Sequence, residues 1–98
     1  MNPKIPLSIQ NLSAEQLENI LFLAEQVARK YISSQIPSKE IKNLEVLIEF
    51  DTTTEFKLEC IIDIQLIRHS KINPQKVSDQ AVQKVFEFFE KELNLTPS

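Results

Sequence analysis

Ninety-eight residues with a formal net charge of −3, 42% of them hydrophobic and 26% charged, make one globular domain and leave no room for a second. No apolar run approaches the roughly 20 residues of a membrane span, Met1 to Leu7 lacks the apolar core of a secretory signal, and one cysteine cannot form an internal disulfide. A cytoplasmic location away from membranes is therefore expected. The chain has no glycine, so phosphate-cradling loops, dinucleotide fingerprints and the nucleophile elbow cannot occur in standard form.

Residues 1–11 read as an extended segment in which Ile5, Leu7 and Ile9 alternate with polar residues and Pro6. Proline limits it to an edge strand at most. A first helix starts at Ser13, an N-cap with Gln16 completing a capping box and Leu12 and Leu17 at the staple positions. Leu17, Ile20, Leu21, Ala24, Val27, Ala28, Tyr31 and Ile32 form one apolar stripe that must face a core. The helix ends before Pro37, because the residue before a proline is pushed out of the helical region.

Leu44, Val46, Ile48 and Phe50 alternate with Glu45, Leu47 and Glu49, and the pattern resumes from Phe56 to Leu66. Period two gives two half-buried strands. Keeping the apolar faces together allows register shifts of two residues only. Pairing Phe50 with Phe56 sets Glu49 opposite Lys57, whereas the neighbouring registers set it against Glu55 or Glu59. Charge selects the first, with Asp51 to Glu55 as the loop. A second helix starts with Asn73 as cap and Pro74 in first position, carries Val77, Ala81, Val82, Val85, Phe86, Phe88, Phe89 and Leu93 on a wide apolar face, and gives way to a frayed end at 95–98.

The expected architecture is α+β: a two-layer αββα sandwich over residues 12–94, with an antiparallel two-stranded hairpin and both helices on one face. Its core takes the even-numbered residues of both strands.

Residues Leu12 to Asn94 resemble an archaeal family known as domain of unknown function 3194. The resemblance rests on Leu12-Ser13-Ala14-Glu15-Gln16-Leu17, Ala28-Arg29-Lys30-Tyr31-Ile32, the Lys39-Glu40-Ile41 turn, the acid-alternating strands, and Ile72-Asn73-Pro74-Gln75-Lys76-Val77. It implies an αββα fold and an archaeal source, and it carries no catalytic residues to transfer.

The residues themselves offer little to catalysis. Cys60 lies on the core side of its strand and His69 just past the strand's end, about 30 Å away at ~3.3 Å per residue, so they cannot form a dyad. One His and one Cys fall short of a zinc ligand set. Glu45, Glu49, Glu55, Glu59 and Asp63 read as a solvated strand face, with no pocket to shift a carboxylate and no glycine-containing calcium loop. No enzyme, cofactor or metal site is expected.

Two surfaces remain as candidates. Leu47 and Ile61 interrupt the acidic face and lie diagonally across the ribbon in the favoured register. An uncovered ribbon with open edges suits a second copy of the chain or a protein partner. Phe22, opposite the helical stripe, offers a second contact or packs under Ile5, Leu7 and Ile9. A non-enzymatic binding or assembly module is the leading expectation. At the end away from the hairpin tip, Lys39, Lys42, Arg68, His69, Lys71 and Lys76 gather beside the start of the second helix, with Arg29 and Lys30 nearby. Helix donors and dipole favour an anion there. Weak, sequence-independent binding of RNA or another polyanion is the alternative, against the negative net charge.

Overall fold

The structure, a computed structural model, describes residues 3–4, 13–51, 57–93 and 96–97. In chain order the elements are β1 (Pro3–Lys4), α1 (Ala14–Gln35), a 3-10 turn (Ser38–Glu40), β2 (Ile41–Asp51), β3 (Lys57–Leu66), α2 (Pro74–Leu93) and β4 (Thr96–Pro97). The α+β arrangement of two helices on an antiparallel hairpin is the expected one.

Local chemistry sets the helix ends. The Gln16 amide donates to Ser13 Oγ at 3.1 Å and the Ser13 amide donates to Gln16 Oε1 at 2.8 Å, which closes the capping box. Leu12, the other half of the expected staple, lies outside the described residues. α1 stops at Gln35, where Ile36 turns extended ahead of Pro37 while its N–H still bonds the Ile32 carbonyl at 2.9 Å. At the start of α2, Asn73 Oδ1 accepts from the amides of Gln75 and Lys76, at 3.0 and 3.3 Å.

Side-chain parity along the hairpin follows the alternation. Val46, Ile48, Leu58, Cys60, Ile62 and Ile64 turn toward the helices, whereas Glu45, Leu47, Glu49, Glu59, Ile61 and Asp63 are exposed. β2 begins earlier than the periodicity indicates, at Ile41, because the ladder shifts between Ile41 and Asn43 and sets Lys42 in a bulge.

The register differs from the expected one. Phe50 faces Leu58 and Glu49 faces Glu59, so Leu47 and Ile61 stand directly opposite each other instead of diagonally. An exposed Glu–Lys pair contributes at most about 1 kcal/mol and is screened by salt. The expected register would set Leu47 against Glu59 and Ile61 against Glu45. The observed one pairs the two apolar side chains and still sets Lys57 opposite an acid, Asp51. The expected turn at Asp51 to Glu55 and the strand start at Phe56 fall largely on residues 52–56, outside the described residues.

The core has two lobes that fix the helix directions. Ala24 and Ala28 of α1 pack with Val85 and Phe89 of α2 over Val46, Ile48, Leu58 and Cys60. Ile32 and Ile36 pack with Val77 and Ala81 over Leu44, Ile64 and Leu66. Early α1 residues thus meet late α2 residues, so the helices run antiparallel. Ala24, Ala28 and Ala81 put small side chains at the helix contact. Tyr31 joins them at the rim, its hydroxyl donating to Gln80 Oε1 at 2.6 Å with Lys84 Nζ 6.0 Å from its ring centre. Ser78, the buried polar residue of α2, donates to the Gln75 carbonyl at 3.0 Å. β1 and β4 form a two-residue antiparallel ladder, Pro3 with Pro97 and Lys4 with Thr96; β1 falls in the stretch 1–11 expected to be extended, and β4 in the stretch 95–98 expected to be frayed.

Candidate protein-binding face

Period two places Leu47 and Ile61 outward, and the register makes them facing neighbours, 49% and 57% exposed. On either side lie two further facing pairs, Glu45 with Asp63 and Glu49 with Glu59. The result is an apolar pair between four carboxylates on a sheet face that neither helix covers. Directly facing acids oppose strand pairing, so this arrangement does not serve the hairpin's own stability.

The apolar surface continues round the edge of β2. Leu21, Phe22, Glu25, Val46, Leu47 and Ile48 line a shallow cleft of about 210 Å³ between α1 and that edge. Leu21 packs inward, and one residue later the helix turns Phe22 outward, where it is 57% exposed. Leu47 belongs to both the outer face and the cleft. Among the described residues β3 alone pairs with β2, which leaves the other edge of β2 without a strand. Residues Ile5, Leu7 and Ile9, expected as a cover for Phe22, lie outside the described residues. The sequence singled out Leu47, Ile61 and Phe22, and the structure brings Phe22 to Leu47 and Leu47 to Ile61. Val46 and Ile48 belong to the core by parity, and their position on an edge strand also opens them to the cleft.

At the opposite end, the Ile67 amide donates to the Glu40 carbonyl at 2.9 Å. That bond joins the turn carrying Lys39 to the loop carrying Arg68, His69 and Lys71, with Lys42 in the adjacent bulge. All five side chains are exposed, as is Lys76 in the first turn of α2. The helix start itself offers an anion little. Pro74 has no N–H, Asn73 Oδ1 takes the amides of Gln75 and Lys76, and the Val77 amide bonds the Asn73 carbonyl at 3.3 Å. Arg29 is held by Glu25 at 3.1 Å, and Tyr31 is engaged with Gln80 and Lys84.

Cys60 sits on the inner face opposite Ile48, and partial burial pushes its thiol up to about 11. Among the described residues no three His, Cys, Asp or Glu side chains form a group able to hold a metal ion, and no helix is long and apolar enough to cross a membrane.

The fold recurs in solved structures. A crystal structure from Thermococcus onnurineus superposes with a TM-score of 0.76 at 27% identity, covering 86% of this chain and 82% of that one. The solution structure of a hypothetical protein from Methanothermobacter thermautotrophicus gives 0.77 at 21% identity over 86% and 91%, a likeness of fold alone. In sequence the chain is similar to an uncharacterized protein of Pyrococcus horikoshii, 24% identical over 95% of this chain and 80% of the relative. It is also similar to one of Thermococcus kodakarensis, 22% identical over 91% and 82%. With the resemblance read from the sequence matched by the family model over residues 9–92, the chain belongs to the family described as protein of unknown function (DUF3194).

Proposed function

We propose that this domain is a non-enzymatic binding or assembly module whose contact surface is the outer face of the hairpin and the adjoining edge of β2. The observation that carries the reading is the facing Leu47–Ile61 pair, about half exposed on an uncovered sheet and continuous with the Phe22 cleft. Apolar side chains on a strand whose backbone is already ordered add no backbone ordering cost when they are covered. The facing acids cost hairpin stability, and a role in contact accounts for their presence better than solubility does, since acids elsewhere on the surface would serve that equally.

Light scattering over a concentration series, with capture from a cell extract in parallel, tests the reading against Leu47→Glu and Ile61→Lys. The unaltered chain should self-associate or retain a protein, and both variants should lose that property. A monomer that retains nothing and responds to neither substitution contradicts it.

A second reading, polyanion or RNA contact at the other end, is supported by the Glu40–Ile67 bond that gathers the basic loops. With the α2 donors taken by Asn73, it rests on side-chain charge. Affinity should then fall steeply with salt, with a shallower slope in an Arg68→Glu, Lys71→Glu, Lys76→Glu variant.

A further inference from the structure

The edge of β2 specifies more than a generic contact. Resting on the binding-module reading, we propose that it accepts an extended segment of another protein with a particular order of side chains. That order is one Lys or Arg, three apolar residues, and a second Lys or Arg. A strand added to a sheet edge places its side chains beside those of the edge strand, on the same alternating faces. From Glu45 to Glu49 the edge presents acid, apolar, apolar, apolar, acid. Glu45, Leu47 and Glu49 lie on the outer face, and Val46 and Ile48 open into the cleft of about 210 Å³ with Leu21 and Phe22. An incoming strand therefore meets carboxylates at its first and fifth positions. It meets Leu47 at its third, and the cleft at its second and fourth.

Charge selects the partner. The remaining acid at the cleft, Glu25, already holds Arg29 at 3.1 Å, so selection falls on Glu45 and Glu49. Asp63 and Glu59, one strand further in and directly facing them, reinforce the negative potential on the outer face. A second copy pairing through β2 centred on Leu47 would set Glu45 against Glu49 twice. Like charges directly opposite are unfavourable. No stretch of these 98 residues has the cation, three apolar, cation order, so none of them supplies the matching segment.

The experiment titrates the isotopically labelled full chain with two synthetic peptides, one containing Lys-Val-Ile-Val-Lys and the other Glu-Val-Ile-Val-Glu in the same polar surround. Amide shifts should be confined to residues 43–49 and Phe22. At low salt the lysine peptide should bind about tenfold more tightly or better, from two exchanged charge contacts. In a Glu45→Gln, Glu49→Gln chain, which keeps the apolar contacts, the two peptides should bind about equally. Equal affinity for the unaltered chain, or shifts centred on Ile61 and β3, would overturn the proposal while leaving the exposed-face reading standing. Self-association abolished by Leu47→Glu would make a second copy the occupant and also overturn it. No binding of either peptide, with a monomer indifferent to Leu47→Glu, would overturn the proposal and the reading together.

Discussion

Glu49 stands directly opposite Glu59 on the outer face of the hairpin, beside the Leu47–Ile61 pair. Facing carboxylates destabilise a sheet by roughly 0.2–1 kcal/mol. Replacing Glu59 with Lys should therefore raise stability by about 0.5–1 kcal/mol, seen as a higher urea midpoint at unchanged slope. A lower midpoint would contradict the register. The same substitution should weaken partner binding, so stability and binding move in opposite directions.

Phe89 is fully buried in an α1–α2 lobe of the core, edge-on to Phe88 with ring centres 5.6 Å apart, whereas Phe22 is largely exposed. Phe89→Ala should cost about 3–5 kcal/mol and leave the chain close to unfolded. Phe22→Ala should change stability by less than about 0.5 kcal/mol. Urea unfolding of the two variants checks both, and a large loss from Phe22→Ala would move that ring from the contact surface into the core.

The Cys60 thiol, raised from 9.0 to about 11 by burial, is almost wholly protonated at neutral pH. Native protein should react with a thiol-specific disulfide reagent far more slowly than urea-unfolded protein. A folded-state value above the unfolded one means that folding holds the proton. Its contribution is fully present below about pH 9 and is lost as pH rises through about 11. Stability should decline over that window, and Cys60→Ala should flatten the decline. Equal reaction rates of folded and unfolded chain would place the thiol on the surface.

Asn73 uses one side-chain oxygen to satisfy two amides of α2. Asn73→Ala should cost about 0.5–2 kcal/mol, and Ser13→Ala at the start of α1 a similar amount. Thermal unfolding measures both. A neutral Asn73→Ala would mean that those amides are not held by the cap, which would restore them as donors for an anion.

Features set by neighbouring residues were legible in the sequence. The capping box at Ser13, the Asn73-Pro74 start and the inward parity of Val46, Ile48, Ile62 and Ile64 all follow from spacing within a few residues. Register was not legible, because Lys57 faces an acid in either pairing, Glu49 in one and Asp51 in the other, and only the Leu47–Ile61 contact favours the observed one. Nor was the early start of β2, since the bulge at Lys42 breaks the alternation that marks a strand. The β1–β4 ladder joins two pairs of residues about 90 positions apart in the chain, and two residues carry no periodicity. At the basic end the sequence points the helix donors at an anion, although Asn73, readable there as their cap, occupies two of them. Each half was readable, and only the hydrogen bonds put them together. Phe22 was legible as an outlier from the α1 stripe, but its meeting with Leu47 depends on which helix flank lies along β2.

The proposed contact surface is the sheet face and not the basic end. The most direct measurement is side-by-side capture, from an extract of the cells of origin, on three immobilised chains: unaltered, Leu47→Glu with Ile61→Lys, and Arg68→Glu with Lys71→Glu and Lys76→Glu, with retained protein and RNA both identified. With all three chains folded, a protein should be retained equally by the unaltered and the Arg68–Lys71–Lys76 chains and lost from the Leu47–Ile61 chain. Retention of RNA or protein by the Leu47–Ile61 chain, with loss from the Arg68–Lys71–Lys76 chain, would contradict it.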